Sequence, residues 1–130
     1  MRILPDTHVW LWMTAEPERL GPDARALLED ASNEILLSAA SAWEIAIKVG
    51  IGKLRLPERP SSYIPSRMQA GGVAPLPITL AHAAAVAGRP PHHRDPFDRL
   101  LVAQARIEGV PLLTSDPQLD AYDVERIAAS

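Results

Sequence analysis

The chain has no cysteine among its 130 residues. That absence excludes a disulfide framework, a zinc ribbon, an iron–sulfur site and thiol catalysis. Long apolar runs are missing too. None approaches the ~20 residues of a membrane helix, so the chain is not expected to span a bilayer. The N-terminus, Met1-Arg2-Ile3-Leu4-Pro5-Asp6, has one basic residue and then an acid, unlike a signal peptide, and the expected compartment is the cytoplasm. A basic excess is also absent: 13 Lys and Arg stand against 16 Asp and Glu, for a net charge of −3. By charge alone this is not a nucleic-acid binder. Lysine is scarce, with two residues against eleven arginines. Arginine suits bidentate phosphate contacts, although codon bias gives the same skew. Repeats, low-complexity tracts and interdomain linkers are lacking as well, so residues 1–130 read as one domain.

What is present is an ordinary globular composition. Hydrophobic residues make up 47% and charged residues 22%, which argues against disorder. A chain of this length buries roughly 70% of its unfolded surface, so its core needs no staples.

Short strand patterns alternate with helical ones. Residues 2–5 predict a strand and 8–14 an apolar helix. Gly21-Pro22 opens a second helix to about Ala31, with Ala24, Leu27, Leu28 and Ala31 at helical spacing. A strand over 34–37 and a helix over 41–49 follow, ended by Gly50 and Gly52. Pro57, Pro60 and Pro65 break the stretch from Lys53 to Ala74, which predicts a loop with one short, exposed helix over 62–70. An extended segment over 73–78 precedes a helix capped by Thr79 and ending before Gly88. Asp95-Pro96 opens a strong helix to Glu108, stopped by Gly109. Strands over 110–114 and 124–127 complete the pattern. The alternation predicts an α/β fold with a mainly parallel sheet of four to five strands covered on both faces.

Four acids fall where solubility would not put them. Asp6 follows the first strand, Glu44 lies near the start of the helix after the second, Asp98 lies in the first turn after Pro96, and Asp116 follows the strand over 110–114. In a parallel sheet the strand C-termini and the helix N-termini after them share one edge, where ligands bind. Each acid has a plainer reading. Ser41-x-x-Glu44 reads as a capping box, Asp95-Pro96-x-Asp98 as an N-cap with an N3 acid, and Asp116-Pro117 as another N-cap. Asp6 serves equally as an Asx cap or a ligand. Taken together, four carboxylates in one cleft repel strongly. Two charges ~5 Å apart at an effective dielectric of ~20 repel by roughly 3 kcal/mol. Such a cluster takes up protons or binds a cation. Oxygen donors without Cys or His suit Mg²⁺ or Mn²⁺, and such a site hydrolyses phosphodiesters.

Asp6-Thr7-His8 after a short strand, Ser38-Ala39-Ala40-Ser41-Ala42-Trp43-Glu44-Ile45, Asp95-Pro96-Phe97-Asp98-Arg99-Leu100-Leu101-Val102-Ala103-Gln104-Ala105 and Thr114-Ser115-Asp116 resemble a PIN-domain ribonuclease. More narrowly, they are similar to the VapC toxins of type II toxin–antitoxin modules. The resemblance covers nearly the whole chain. It implies a three-layer α/β/α sandwich, a divalent metal held by Asp6, Glu44, Asp98 and Asp116, and support from Thr7, Ser115 and Asp95. It also implies a homodimer, a VapB antitoxin that blocks the site, and an RNA substrate, often transfer RNA or a ribosomal RNA loop. Cleavage would leave 5′-phosphate and 3′-hydroxyl ends. Pro5 departs from the family's apolar strand residue. Lacking an N–H, it is expected to end the strand at Leu4.

Metal and local arginines answer the charge objection. Lys48, Arg94 and Arg99 are the candidate phosphate contacts. For Lys48 the alternative is an i,i+4 ion pair with Glu44, and for Arg99 a solvated helix position. His92 and His93 leave loop hydrogen bonding, metal ligation and acid–base work open. Trp10 and Trp12 point to opposite sides of an apolar helix, so one is expected to face a partner, a second protomer or the antitoxin; the alternative is a helix buried between the sheet and other helices. The alternative function is a catalytically weak module that binds RNA or an antitoxin. An aspartate-nucleophile phosphatase is excluded, because it needs Asp-x-Asp and His8 stands two residues after Asp6.

Overall fold

The computed structural model describes residues 1–88, 95–116 and 125–130. Five strands, β1 (Arg2–Pro5), β2 (Glu34–Ser38), β3 (Ala74–Leu76), β4 (Leu112–Thr114) and β5 (Arg126–Ala128), form one sheet in the order β3-β2-β1-β4-β5. Every pairing is parallel. Helices α1 (Thr7–Ala15), α2 (Pro22–Glu29), α3 (Ala39–Gly50), α4 (Pro60–Gly71), α5 (Leu80–Ala85) and α6 (Pro96–Glu108) connect and cover the strands.

Strand alternation sorts the core into two faces. Leu4, Leu36 and Leu112 pack with Ala40 of α3 and Leu101, Val102 and Ala105 of α6. Their neighbours Ile3, Ile35 and Leu113 turn the other way, onto Val9 of α1 and Ala24 of α2. Helices on both faces make the expected α/β architecture with three layers. Gly109 ends α6 at φ 65, a left-handed conformation that glycine adopts without a Cβ penalty.

The chain runs outward from β1 through β2 to β3, then returns to the other side of β1 as β4 and β5. The strand order therefore reverses between β1 and β4, and the crevice of an open parallel sheet lies at such a switch point. Asp6 leaves β1, and Asp116 follows β4, at that junction.

Three expectations need correction. Pro5 does not end β1: it pairs in register with Leu113 of β4. The amides of Leu4 and Asp6 donate to the carbonyls of Pro111 and Leu113. The Pro5 nitrogen lies between them and faces β2, where the registered pairs stop at Ile3 and Ile35. Its missing N–H therefore costs no bond to β4. The second correction concerns α4, which is neither short nor wholly exposed. Pro60 takes the favourable N1 position and Pro65 sits inside. An interior proline costs ~3 kcal/mol. Against that cost, Tyr63 is buried edge-on to Trp10, with ring centroids 6.1 Å apart, and its hydroxyl lies 2.8 Å from that of Thr14. Third, α3 starts two residues earlier than its pattern predicts, and its N-cap three residues earlier, at Ser38 instead of Ser41. Ser38 caps it, its hydroxyl accepting from the Ala40 amide at 3.0 Å. Glu44 consequently stands in the second turn, out of reach of a capping box.

Candidate active site

Relieved of capping, Glu44 turns inward and is 2% exposed. Thr7, the first residue of α1, donates its hydroxyl to Glu44 Oε1 at 2.7 Å and lies 2.9 Å from the Ser41 hydroxyl. One helical turn on, Lys48 Nζ is 2.5 Å from Glu44 Oε2. Both oxygens of this buried carboxylate thus have partners, as burial of a charge requires. The i,i+4 pair considered for Lys48 is present.

Asp6 is also buried. As N-cap of α1 it accepts from the Val9 amide at 2.8 Å through Oδ1, while the Thr114 hydroxyl donates to Oδ2 at 2.5 Å. Burial pushes its carboxyl above the ordinary value, and the Glu44 charge adds to that rise. The hydrogen bonds from Thr114 and Val9, and the His8 imidazole, oppose it. Thr114 Oγ1 also accepts from the Asp116 amide at 3.0 Å. One hydroxyl therefore joins the ends of β1 and β4.

Thr7 takes the supporting role the resemblance implies, and Thr114 is a further supporting group that the sequence reading does not name as such. The signal was a Ser/Thr turn, a hydroxyl residue two before an acid at a strand end. Ser115 is half-buried and makes no side-chain hydrogen bond among the described residues. Gln104 of α6 is a second supporting group that the sequence does not single out. It is fully buried, accepts from the Ser38 hydroxyl, and donates to the Pro77 carbonyl at 3.3 Å. It fixes α6 against the start of α3.

Asp95 caps α6, accepting from the amides of Phe97 (2.9 Å) and Asp98 (3.3 Å). Asp98 is half-buried in the first turn. Phe97 meets Trp43 edge-on at 5.2 Å, so the chain neighbours of Asp98 and Glu44 touch. The structure thus links Asp6 with Asp116 through Thr114, Thr7 with Glu44 directly, and α3 with α6 through the aromatic pair.

Arg99 is half-buried, with Nη2 donating to the Val86 carbonyl at 3.2 Å. Arg94, His92 and His93 lie outside the described residues. The partner-facing role expected of Trp10 is overturned by its complete burial. The helix is apolar all round because sheet and α4 both cover it. Trp12 is half-buried beneath the Arg19 guanidinium, 4.9 Å from its ring centroid. Three exposed apolar residues line one face of α3 and its end, Trp43, Ile47 and Ile51 at i, i+4 and i+8; Met1, Leu80 of α5 and Ile107 of α6 are exposed singly elsewhere.

The site's chemistry fits a hard divalent cation. Its donors are carboxylate and hydroxyl oxygens, and Asp6 is a buried carboxyl under the field of a second acid, a strain that a cation relieves. Among the described residues, no three His, Asp or Glu side chains are already arranged to hold one. No described helix is long and apolar enough to cross a membrane.

A family model for the PIN domain matches residues 3–125. Ribonuclease VapC16 of Mycobacterium tuberculosis is 53% identical over 70 residues, covering 51% of this chain and 50% of that protein, so the match spans about half of that relative's length. Ribonuclease VapC22 of the same organism is 32% identical over 121 residues, covering 92% of this chain and 91% of that protein. Among solved structures, VapBC2 of Rickettsia felis bound to a promoter DNA fragment has a TM-score of 0.72 at 13% identity, covering 100% of both chains. DNA-bound VapBC of Salmonella typhimurium has a TM-score of 0.69 at 14% identity, covering 98% of both. At those identities the structures speak for the fold alone. With Asp6 and Asp116 at the switch point, a family model over most of the chain and a relative matched along nearly its whole length, the chain belongs to the PIN domain family and to its VapC branch.

Proposed function

We propose that the chain is a divalent-metal-dependent endoribonuclease acting as the toxin of a toxin–antitoxin pair. The observation that carries this reading is two buried carboxylates that feel each other, Asp6 at the sheet's switch point and Glu44 on α3, held by Thr114 and Thr7. Two buried carboxylates so close are costly unless the site uses them.

Asp6, Glu44, Asp98 and Asp116 would hold Mg²⁺ or Mn²⁺. When bound, the ion supplies Lewis-acid stabilisation of phosphate charge. The chain's own residues do the positioning. Thr7 orients Glu44, Thr114 orients Asp6, and the Asp95 cap sets the first turn that carries Asp98. Lys48 balances Glu44 and is available to a substrate phosphate, as are Arg94 and Arg99. The partners are an RNA, a VapB-like antitoxin and a second copy of the chain, and the compartment is the cytoplasm. The apolar residues Trp43, Ile47 and Ile51 supply a surface for one of the protein partners.

A second reading, a module that binds RNA or antitoxin without cutting, draws on one observation. Lys48 already occupies Glu44 Oε2, where a metal would compete with it. Incubating purified protein with RNA separates the two. The ribonuclease reading expects cleavage with Mg²⁺ or Mn²⁺, loss with chelator, and 5′-phosphate ends on sequencing. RNA left whole under every metal condition, with the protein folded, would establish the binding module instead.

A further inference from the structure

A cavity of about 290 Å³ opens between α1 and the C-terminal half of α3, lined by Ile45 and Lys48, which neighbour Glu44 on that helix. Ile45 forms its buried base, and the half-buried Leu11 and Leu54 line its walls. Thr7, which holds Glu44, also lines it. Around it stand His8, Lys48 and Lys53.

The lysines are brought together by the backbone. After α3 the chain turns back, with Gly52 at φ 76, a conformation that disfavours a side chain. The amides of Lys53 and Leu54 both donate to the Lys48 carbonyl, at 2.8 and 3.2 Å. This turn sets Lys53 beside Lys48 at the same opening. The chain has only two lysines, and both line this one cavity. Lys48 spends part of its charge on Glu44. Lys53 is exposed and has no carboxylate partner among the described residues.

We propose that this cavity is a nucleotide subsite, taking one phosphate-bearing residue of a single-stranded RNA next to the bond that is cut. The proposal deepens the ribonuclease reading and rests on it for the place of the scissile bond. The shape and chemistry argue for a nucleotide. An apolar base and walls receive a ribose or base face, and two ammonium groups and an imidazole at the mouth receive phosphate. At 290 Å³ the cavity is at the small end for ligand sites. It is too small for a helix of a protein partner. Lysine acts on phosphate as a mobile point charge, and its flexible stem follows a backbone whose base sequence varies. In a chain of net charge −3, a local cationic mouth gives the RNA a side from which to approach the acids.

The test uses the full chain carrying Asp98→Asn, which prevents cutting, with Mg²⁺ present. The probe is a fluorescein-labelled pool of single-stranded RNA of random sequence. Binding is read by anisotropy over a range of salt. Lys53→Gln is expected to raise Kd about tenfold at low salt and to lower the slope of log Kd against log salt by about 0.7, the value for one lost phosphate contact on a single strand. Lys53→Arg should restore the slope. Melting temperatures should agree among the three, since Lys53 is exposed. An unchanged Kd and slope in Lys53→Gln would overturn the subsite. So would a Lys53→Gln protein that binds RNA normally but no longer binds a VapB-like antitoxin, because the cavity would then serve a protein. Cleavage of the same pool by the protein without Asp98→Asn is scored separately. A slope change without any cleavage keeps the subsite and sinks the ribonuclease reading. Cleavage without a slope change does the reverse, and a protein that neither binds nor cuts the pool overturns both.

Discussion

The two sides of the acidic site are built by different means. On the β1 and α3 side, Asp6 and Glu44 are buried and tied to other elements by Thr114 and Thr7, with Lys48 pairing Glu44 within α3. On the α6 side, Asp98 is half-buried in a first turn whose amides are satisfied by its own neighbour, Asp95. The first side depends on tertiary contacts across more than a hundred positions of sequence. The second is set up within four residues. The contrast separates what a substitution does to chemistry from what it does to folding. A change at Asp98 touches little of the core, whereas a change around Glu44 leaves a buried charge in need of a partner.

The largest effect should follow from Asp98→Asn, which nearly keeps the shape and removes a charge. The helix cap belongs to Asp95, so the melting temperature should stay within the range of ordinary surface changes, ~0.5 kcal/mol or less. Cleavage should fall by at least about a hundredfold, or ~2.7 kcal/mol of barrier. Parallel melting curves and initial rates check both halves. A protein that melts early yet keeps its specific activity would reverse the contrast and make Asp98 a structural residue.

Next in size is Lys48→Met. Removing one partner of a buried ion pair leaves the other charge uncompensated, at a cost of ~3–5 kcal/mol when both are buried. The Lys48 side chain is 35% exposed and Glu44 only 2%, so water takes over part of the role and about 1–2 kcal/mol is expected. Denaturant melts should show that loss in Lys48→Met and none in Lys53→Met, whose ammonium has no buried partner. Equal stability of the two variants would mean that the Glu44 carboxylate needs nothing from Lys48.

The same contrast explains which parts of the molecule were legible in the sequence. The Asp95-Pro96-x-Asp98 start and the Gly109 stop are local chemistry, and α6 spans Pro96–Glu108 as read. The alternation of short strands with helices likewise makes the parallel sheet readable. What failed needed a neighbour. Whether Pro5 breaks a strand depends on which side its nitrogen faces, and that is decided by pairing with β4 rather than β2. Ser41-x-x-Glu44 has the letters of a capping box, but Ser38 caps first, and Thr7 then claims both side chains. The prolines of α4 weigh against a helix until Tyr63 finds Trp10 and Thr14. That contact also buries Trp10, moving the exposed apolar surface from α1 to Trp43 and Ile47 of α3 and the adjoining Ile51.

The smallest effect, and the one that probes the buried side most directly, is the pH dependence of Asp6. Burial raises its folded pKa above the unfolded value near 3.8. The folded state then binds more protons than the unfolded state between those two values, so stability falls as pH rises through them and stays lower at neutral pH. This is the opposite of a salt-bridged aspartate, which is most stabilising when ionised. Asp6→Asn removes the titration and keeps an oxygen for the Val9 amide. It should therefore gain stability relative to the unsubstituted chain as pH rises from about 4 toward 7. The unsubstituted chain should recover that difference when Mg²⁺ is added at neutral pH, because a cation beside Asp6 favours its ionised form. Asp6→Asn should respond to the metal less. Thermal melts at three pH values with and without Mg²⁺ provide the check. A metal response that strengthens as pH falls would show that protonation of Asp6 does not compete with the cation, and that the buried side of the site is structural.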